Sequence, residues 1–284
     1  MDPQVIEVLL SPFALALLGL CVGSFLNVVI HRLPLMMERG WRMESAELLG
    51  VKIDAPAPIT LSLPRSRCPS CGHQIRWHEN IPLVSYLRLG GKCSACKAPI
   101  SARYPAVEVL TAALFAACGW RFGAQPTVLL WCGLTATLVA LAFIDLDTQF
   151  LPDDLTLPLM WAGIVSAALG WLPITLGASV GGAALGYLSL WFVYHAYRII
   201  RGKEGMGAGD FKLLAALGAW LGWLLIPSII LLSSAVGAVV GIALIAFRHH
   251  DREVPIPFGP YLAGGGIAAL FFGAQLTRLW MPPA

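Results

Sequence analysis

Eight apolar runs constrain this chain more than any other feature of its 284 residues. They lie at about 10–30, 105–122, 126–144, 154–172, 174–197, 211–225, 226–247 and 257–279. A helix needs roughly 17–25 largely apolar residues to cross a bilayer, and most of these runs meet that length. Only 12% of the residues are charged, against about 25% in a soluble domain, and the mean hydropathy is +0.74. The chain therefore reads as an all-α polytopic membrane protein of about eight transmembrane helices. The 211–225 run is short for a span; it reads as tilted, partly re-entrant or entered from a recessed loop.

The placement of charge sets the orientation. The net charge is only +3 and nothing marks the chain as a nucleic-acid binder. Yet eleven of its nineteen Lys and Arg fall between His31 and Tyr104. With eight spans, that segment shares a side with the loops carrying Arg198, Arg201, Lys203, Arg248 and Arg252. Cytoplasmic loops collect Lys and Arg, which puts the large loop in the cytoplasm and both termini outside, in a multi-pass protein of the lipid bilayer. The expected division is 1–30, a first transmembrane helix; 31–104, a cytoplasmic insert; and 105–284, a membrane core of about seven helices. The first span lacks the basic n-region and cleavage site of a secretory signal, so it is expected to be retained.

Within the insert, Cys68-x2-Cys71 and Cys93-x2-Cys96 form two knuckles separated by twenty-one residues. Four thiolates at that spacing close a tetrahedron around zinc, with no open position for catalysis. The insert is thus expected to be zinc-ribbon-like, with Gly72, Gly90 and Gly91 serving the turns. Disulfides are the rival reading, and they are rare in the cytoplasm. His73 and His78 read as surface residues. Cys21, Cys118 and Cys132 read as small buried side chains.

Ionisable groups inside apolar runs are functional candidates by default. Asp145 ends the third run at a helix C-terminus, where the macrodipole disfavours an acid. Asp210 opens the sixth, in GMGAGDF. If the two share a site, they share a proton; one acts as base on a water while the other protonates a scissile carbonyl. Gly205, Gly207 and Gly209 would let an extended substrate backbone approach Asp210. Asp210 also fits a helix cap, as do Asp153 and Asp154 after Pro152. Lys203, Glu204 and Lys212 read as interfacial anchors. For Arg103 and Glu108, a buried pair holding insert to membrane is weighed above a cofactor role.

GSFLNVVIHRLP, the CPSCG and GGKCSAC knuckles, ENIPLVSYL, RYPAVE, AFIDLDTQFLPDDLTLPL, GKEGMGAGDFKLLAALGAW and PIPFGPYLA occur in this order. On these motifs, which run over nearly the whole chain, the sequence resembles the bacterial prepilin peptidases of type IV pilus and type II secretion systems. The resemblance implies a bifunctional enzyme of the bacterial inner membrane. It would remove the basic leader of type IV prepilins or type II secretion pseudopilins on the cytoplasmic side. It would then N-methylate the new terminus with S-adenosylmethionine. The family's catalytic aspartates fall on Asp145 and Asp210, and the zinc cysteines on Cys68, Cys71, Cys93 and Cys96. Gly91 matches a position linked to the methyl donor, and equally suits a turn glycine.

Two other classes compete. A cation- or proton-coupled transporter would use the same aspartates as ion ligands, but they lie at the span margins. A membrane-anchored scaffold would use the zinc ribbon and leave the aspartates idle.

Overall fold

The computed structural model describes residues 2–52, 58–203, 205–248 and 256–278. The described residues contain ten α-helices and two short 3-10 turns, no strand, and two isolated antiparallel bridges in the insert, Arg67 with Gln74 and Lys92 with Pro99. The helices are α1 (Pro3–Leu9), α2 (Pro12–Leu48), α3 (Val84–Arg88), α4 (Arg103–Phe122), α5 (Val128–Thr148), α6 (Asp153–Ala168), α7 (Leu176–Arg201), α8 (Ala208–Leu221), α9 (Ile226–Arg248) and α10 (Gly259–Arg278). Each expected apolar run is a helix. Four segments among the described residues are long and apolar enough to cross a membrane: Pro12–Leu48, Val128–Thr148, Leu176–Arg201 and Trp223–Leu244. The chain divides into two compact units, Met1–Ala136 and Thr137–Ala284, taken in turn below.

In the first unit α2 and α4 pack antiparallel through small residues. A Cβ on Gly19 would stand 2.7 Å from the Ala112 Cα, and one on Gly23 2.7 Å from the Glu108 Cα. Asn27 Nδ2 donates to the Tyr104 carbonyl at 3.1 Å, one turn further on. Pro12 starts α2 behind the Ser11 cap, whose hydroxyl accepts the Ala14 N–H. The helix does not stop where its apolar run stops. It continues through Arg32 and past Pro34 to Leu48, about 55 Å at 1.5 Å per residue, so the insert's first eighteen residues are helical. Cys118 and Cys132 are buried as expected, but Cys21 lies on the exposed face of α2.

In the second unit α8 is the hub. Leu213 to Trp220 are all buried, as are Asp210 and Phe211, because α6, α7 and α10 surround it. Gly182 and Gly218 bring α7 and α8 to backbone contact, and Ser179 Oγ donates to the Ala219 carbonyl at 2.7 Å. The indole N–H of Trp220 reaches the Leu159 carbonyl of α6 at 2.8 Å. A helix hydrophobic on every side is a core helix, which explains its shortness: protein, not lipid, covers it. Residues 222–225 do not extend α8. Gly222, at φ +80, ends it, and a 3-10 turn (Trp223–Leu225) leads directly into α9.

Candidate active site

Four helix ends meet at one pole of the second unit. Asp145 lies one turn from the C-terminus of α5 and is 5% exposed; Asp210 lies in the first turn of α8 and is 7% exposed. Leu151 links their surroundings, since it packs against Gly209, the residue before Asp210, and against Gly259, whose amide meets Asp145. Asp145 is adverse to its own helix dipole, but it faces the start of another helix. Its Oδ2 accepts the Gly259 N–H of α10 at 2.9 Å, one of the amides that a helix N-terminus leaves without an intrahelical partner. A Cβ on Gly259 would stand 2.7 Å from that same oxygen, so only glycine brings the amide this close. Sequence reasoning did not single out Gly259; the PFGP stretch carrying it was the available signal.

Leu151, 4% exposed, wedges this pole together. A Cβ on Gly209 would meet its Cβ at 2.7 Å, and one on Gly259 its side chain at 3.1 Å. The loop glycines therefore differ in kind. Gly209 is taken up by Leu151 and Gly205 by the Tyr197 ring, whereas at Gly207 the nearest atom to an added Cβ is Asp210 Oδ2, at 4.0 Å. Gly207, not Asp210, is the N-cap of α8; Asp210 stands at the third helical position, where its backbone N–H donates to the Gly207 carbonyl at 3.3 Å. Tyr187 and Tyr194 of α7 hold Phe211 by ring contacts at 5.9 and 5.6 Å between centroids, which fixes the turn presenting Asp210.

Neither Asp153 nor Asp154 caps α6, whose N-cap is Pro152 without a side-chain bond. Asp153 instead receives Lys212 Nζ on both oxygens at 2.7 Å. Lys212 is thus an ion-pair partner between α6 and α8 rather than an interfacial anchor. Glu204 lies outside the described residues.

In the insert the four cysteine sulfurs lie within 4.8 Å of one another, and Cys68 and Cys96 are 3.8 Å apart. Tetrahedral zinc with Zn–S bonds of about 2.3 Å needs sulfurs roughly 3.8 Å apart, so this donor set fits a closed structural site. The two knuckles share one geometry. Cys68 N–H donates to the His73 carbonyl and Gly72 N–H to Cys68; Cys93 N–H donates to Ala98 and Lys97 N–H to Cys93. The left-handed turn residue is Gly72 in the first and Lys97, at φ +62, in the second. Gly90 and Gly91 lie ahead of that knuckle. Gly91, at φ +67, packs so that an added Cβ would meet the Tyr86 ring at 3.0 Å, which accounts for a glycine there. His73 is half-buried and pairs with Glu79 at 3.2 Å. The Arg76 N–H, then Ser94 and His73, hold the Glu79 carboxyl at about 2. Glu108 of α4 ties the insert to the helix pair by accepting the Leu83 N–H at 2.7 Å.

A family model described as the bacterial Peptidase A24 N-terminal domain matches residues 17–122, and one described as the type IV leader peptidase family matches residues 132–242. Three similar proteins carry the name prepilin leader peptidase/N-methyltransferase. That of Pseudomonas aeruginosa is 53% identical over 266 residues, covering 93% of this chain and 91% of its own. That of Aeromonas hydrophila is 53% identical over 268 residues, at 93% and 92%. That of Burkholderia pseudomallei (strain 1026b) is 49% identical over 265 residues, at 92% and 85%. No solved structure matches the chain.

Proposed function

The chain belongs to the type IV leader peptidase family, and from that premise we propose that it cleaves the leaders of type IV prepilins or type II secretion pseudopilins and methylates the new N-terminus. Asp145 and Asp210 are the catalytic pair. The ionised carboxylate takes a proton from water as the water oxygen bonds to the scissile carbonyl carbon, and the other, protonated carboxyl gives its proton to the carbonyl oxygen. Collapse breaks the C–N bond, and the proton moves to the departing amine. The observation that carries this reading is the burial of two acids at one pole, with Asp145 held by the Gly259 amide. Gly207 is where an extended substrate backbone comes closest to Asp210; Gly205 and Gly209 shape the loop around it.

When bound, S-adenosylmethionine would supply the methyl group that the freed amine takes up once deprotonated. Gly91 is the candidate donor contact. Cys68, Cys71, Cys93 and Cys96 hold a structural zinc that fixes the ribbon. The chain lies in the bacterial inner membrane with about eight spans, residues 31–104 cytoplasmic and 105–284 forming the peptidase core.

The test is cleavage of a purified prepilin in detergent by wild type, Asp145→Asn and Asp210→Asn, each checked for native folding. Both variants should be inactive, as the paired mechanism demands. Cleavage by both would discard the pair, and unimpaired cleavage with altered ion flux would favour ion-coupled transport. Gly91→Ala, assayed for methyl incorporation and cleavage separately, tests the donor contact.

A further inference from the structure

Glu108 is placed deep for a residue that binds the insert. The α2–α4 register sets it level with Gly23. That is eight residues before His31, the first ionisable side chain after the apolar run of α2, or about 12 Å at 1.5 Å per residue. Its Oε2 nevertheless accepts the Leu83 N–H. The segment around Leu83 therefore comes down beside the helix pair, below the level where α2 turns polar.

This segment combines a buried polar anchor with exposed apolar side chains. Inward, Ser85 is 5% exposed; its hydroxyl donates to the His78 carbonyl and accepts the Ile81 N–H. Outward stand Trp77, Ile81, Val84 and Leu87, at 81%, 39%, 57% and 68% exposure. Arg76 and Arg88 flank them and are also exposed. Large apolar side chains at such exposure, with an indole and two guanidinium groups at their edge, match what the headgroup region accepts. Amphipathic segments there sink about 5–10 Å, and the Glu108 side chain, leaning toward the N-terminus of α4, spans the remaining distance from the level of Gly23 to the Leu83 amide. Two arginines complement an anionic bilayer surface.

We propose that residues 77–88 of the insert are seated in the cytoplasmic membrane interface, with Trp77, Val84 and Leu87 among the lipids and Glu108 fixing the depth. The insert is then a partly immersed module rather than a free cytoplasmic domain. Its ribbon is held beside the membrane. This rests on the reading of α4 as a membrane-spanning helix.

The experiment uses the full zinc-loaded chain in liposomes of phosphatidylethanolamine and phosphatidylglycerol. p-Benzoylphenylalanine replaces, one at a time, Leu87, Leu110 on the exposed face of α4, and Ser70 at the first knuckle, and irradiation is followed by mass spectrometry. Lipid adducts at Leu87 and Leu110, several-fold above Ser70, are expected. Adducts at Leu110 with Leu87 no higher than Ser70 would overturn the proposal while leaving α4 in the membrane. Adducts at neither would remove the spanning reading and the proposal together. Adducts from Leu87 to an added prepilin in place of lipid would assign this face to substrate and overturn lipid seating.

Discussion

Single atoms set the position of the Asp145 carboxylate. Gly259→Ala would put a methyl group against its Oδ2 and push apart the amide and carboxylate that fix it. A catalytic group misplaced by about 1 Å loses on the order of 100-fold in rate. Gly259→Ala should therefore lower kcat for prepilin cleavage by about that factor with KM little changed, in a protein that still inserts and folds. Gly207→Ala should do the reverse, raising KM with kcat nearly intact, because its Cβ has no near contact inside the chain. Steady-state kinetics on the two variants check both. In the insert, Lys97 occupies a left-handed turn that costs a side-chain-bearing residue roughly 1–2 kcal/mol, partly offset because glycine loses more entropy on folding. Lys97→Gly should leave thermal stability unchanged or raise it by up to about 1 kcal/mol, whereas Gly72→Ala should lower it.

Pairs of helices set what those atoms can do. Asp153 and Lys212 link α6 to α8, but their side chains are 48% and 28% exposed, and pairs so open to solvent contribute about 0.2–1 kcal/mol. Asp153→Asn should thus cost under about 1 kcal/mol and leave measurable cleavage, in contrast to Asp145→Asn. A double-mutant cycle with Lys212→Met, read by chemical unfolding, should return coupling in that range. Gly182 and Gly218 behave differently, since backbone meets backbone there. Gly182→Leu should prevent α7 from closing on α8 and lower the unfolding free energy by more than the roughly 1–3 kcal/mol typical of overpacking, seen as a sharp fall in the thermal midpoint. No flexible side chain is available to move aside.

At the scale of the whole molecule, the acid pair lies wholly within Thr137–Ala284 and the cysteine set wholly within Met1–Ala136. Stripping zinc with a chelator should therefore impair methyl incorporation more than cleavage, measured side by side on one prepilin. Glu79 gives the acid limit of the same region. Its carboxyl is depressed from 4.5 to about 2 in the folded insert. The stability it contributes is thus complete above about 4.5 and is lost as the pH falls toward 2. Thiolates release zinc as they are protonated, so acid unfolding of the insert should track released zinc and precede Glu79 protonation. A zinc-sensitive dye read beside the carboxyl titration checks the order.

The sequence alone marked the eight apolar helices, the cysteine set and the two aspartates at span ends. An apolar run in a chain this poor in charge has one stable local form, four knuckle thiols have one common use, and an acid at a span end is conspicuous by its cost. Tertiary structure alone decided the partners. Lys212 finds Asp153 across 59 residues and the Gly259 amide finds Asp145 across 114, and no local pattern encodes either meeting. The same holds for α2, whose extension to Leu48 lies beyond its apolar run, and for α8, whose 14 residues suffice because its neighbours bury it. Local composition fixes what a segment can be, while packing fixes what each carboxylate faces, and that second choice decides whether an aspartate meets an ammonium group or a helix-start amide.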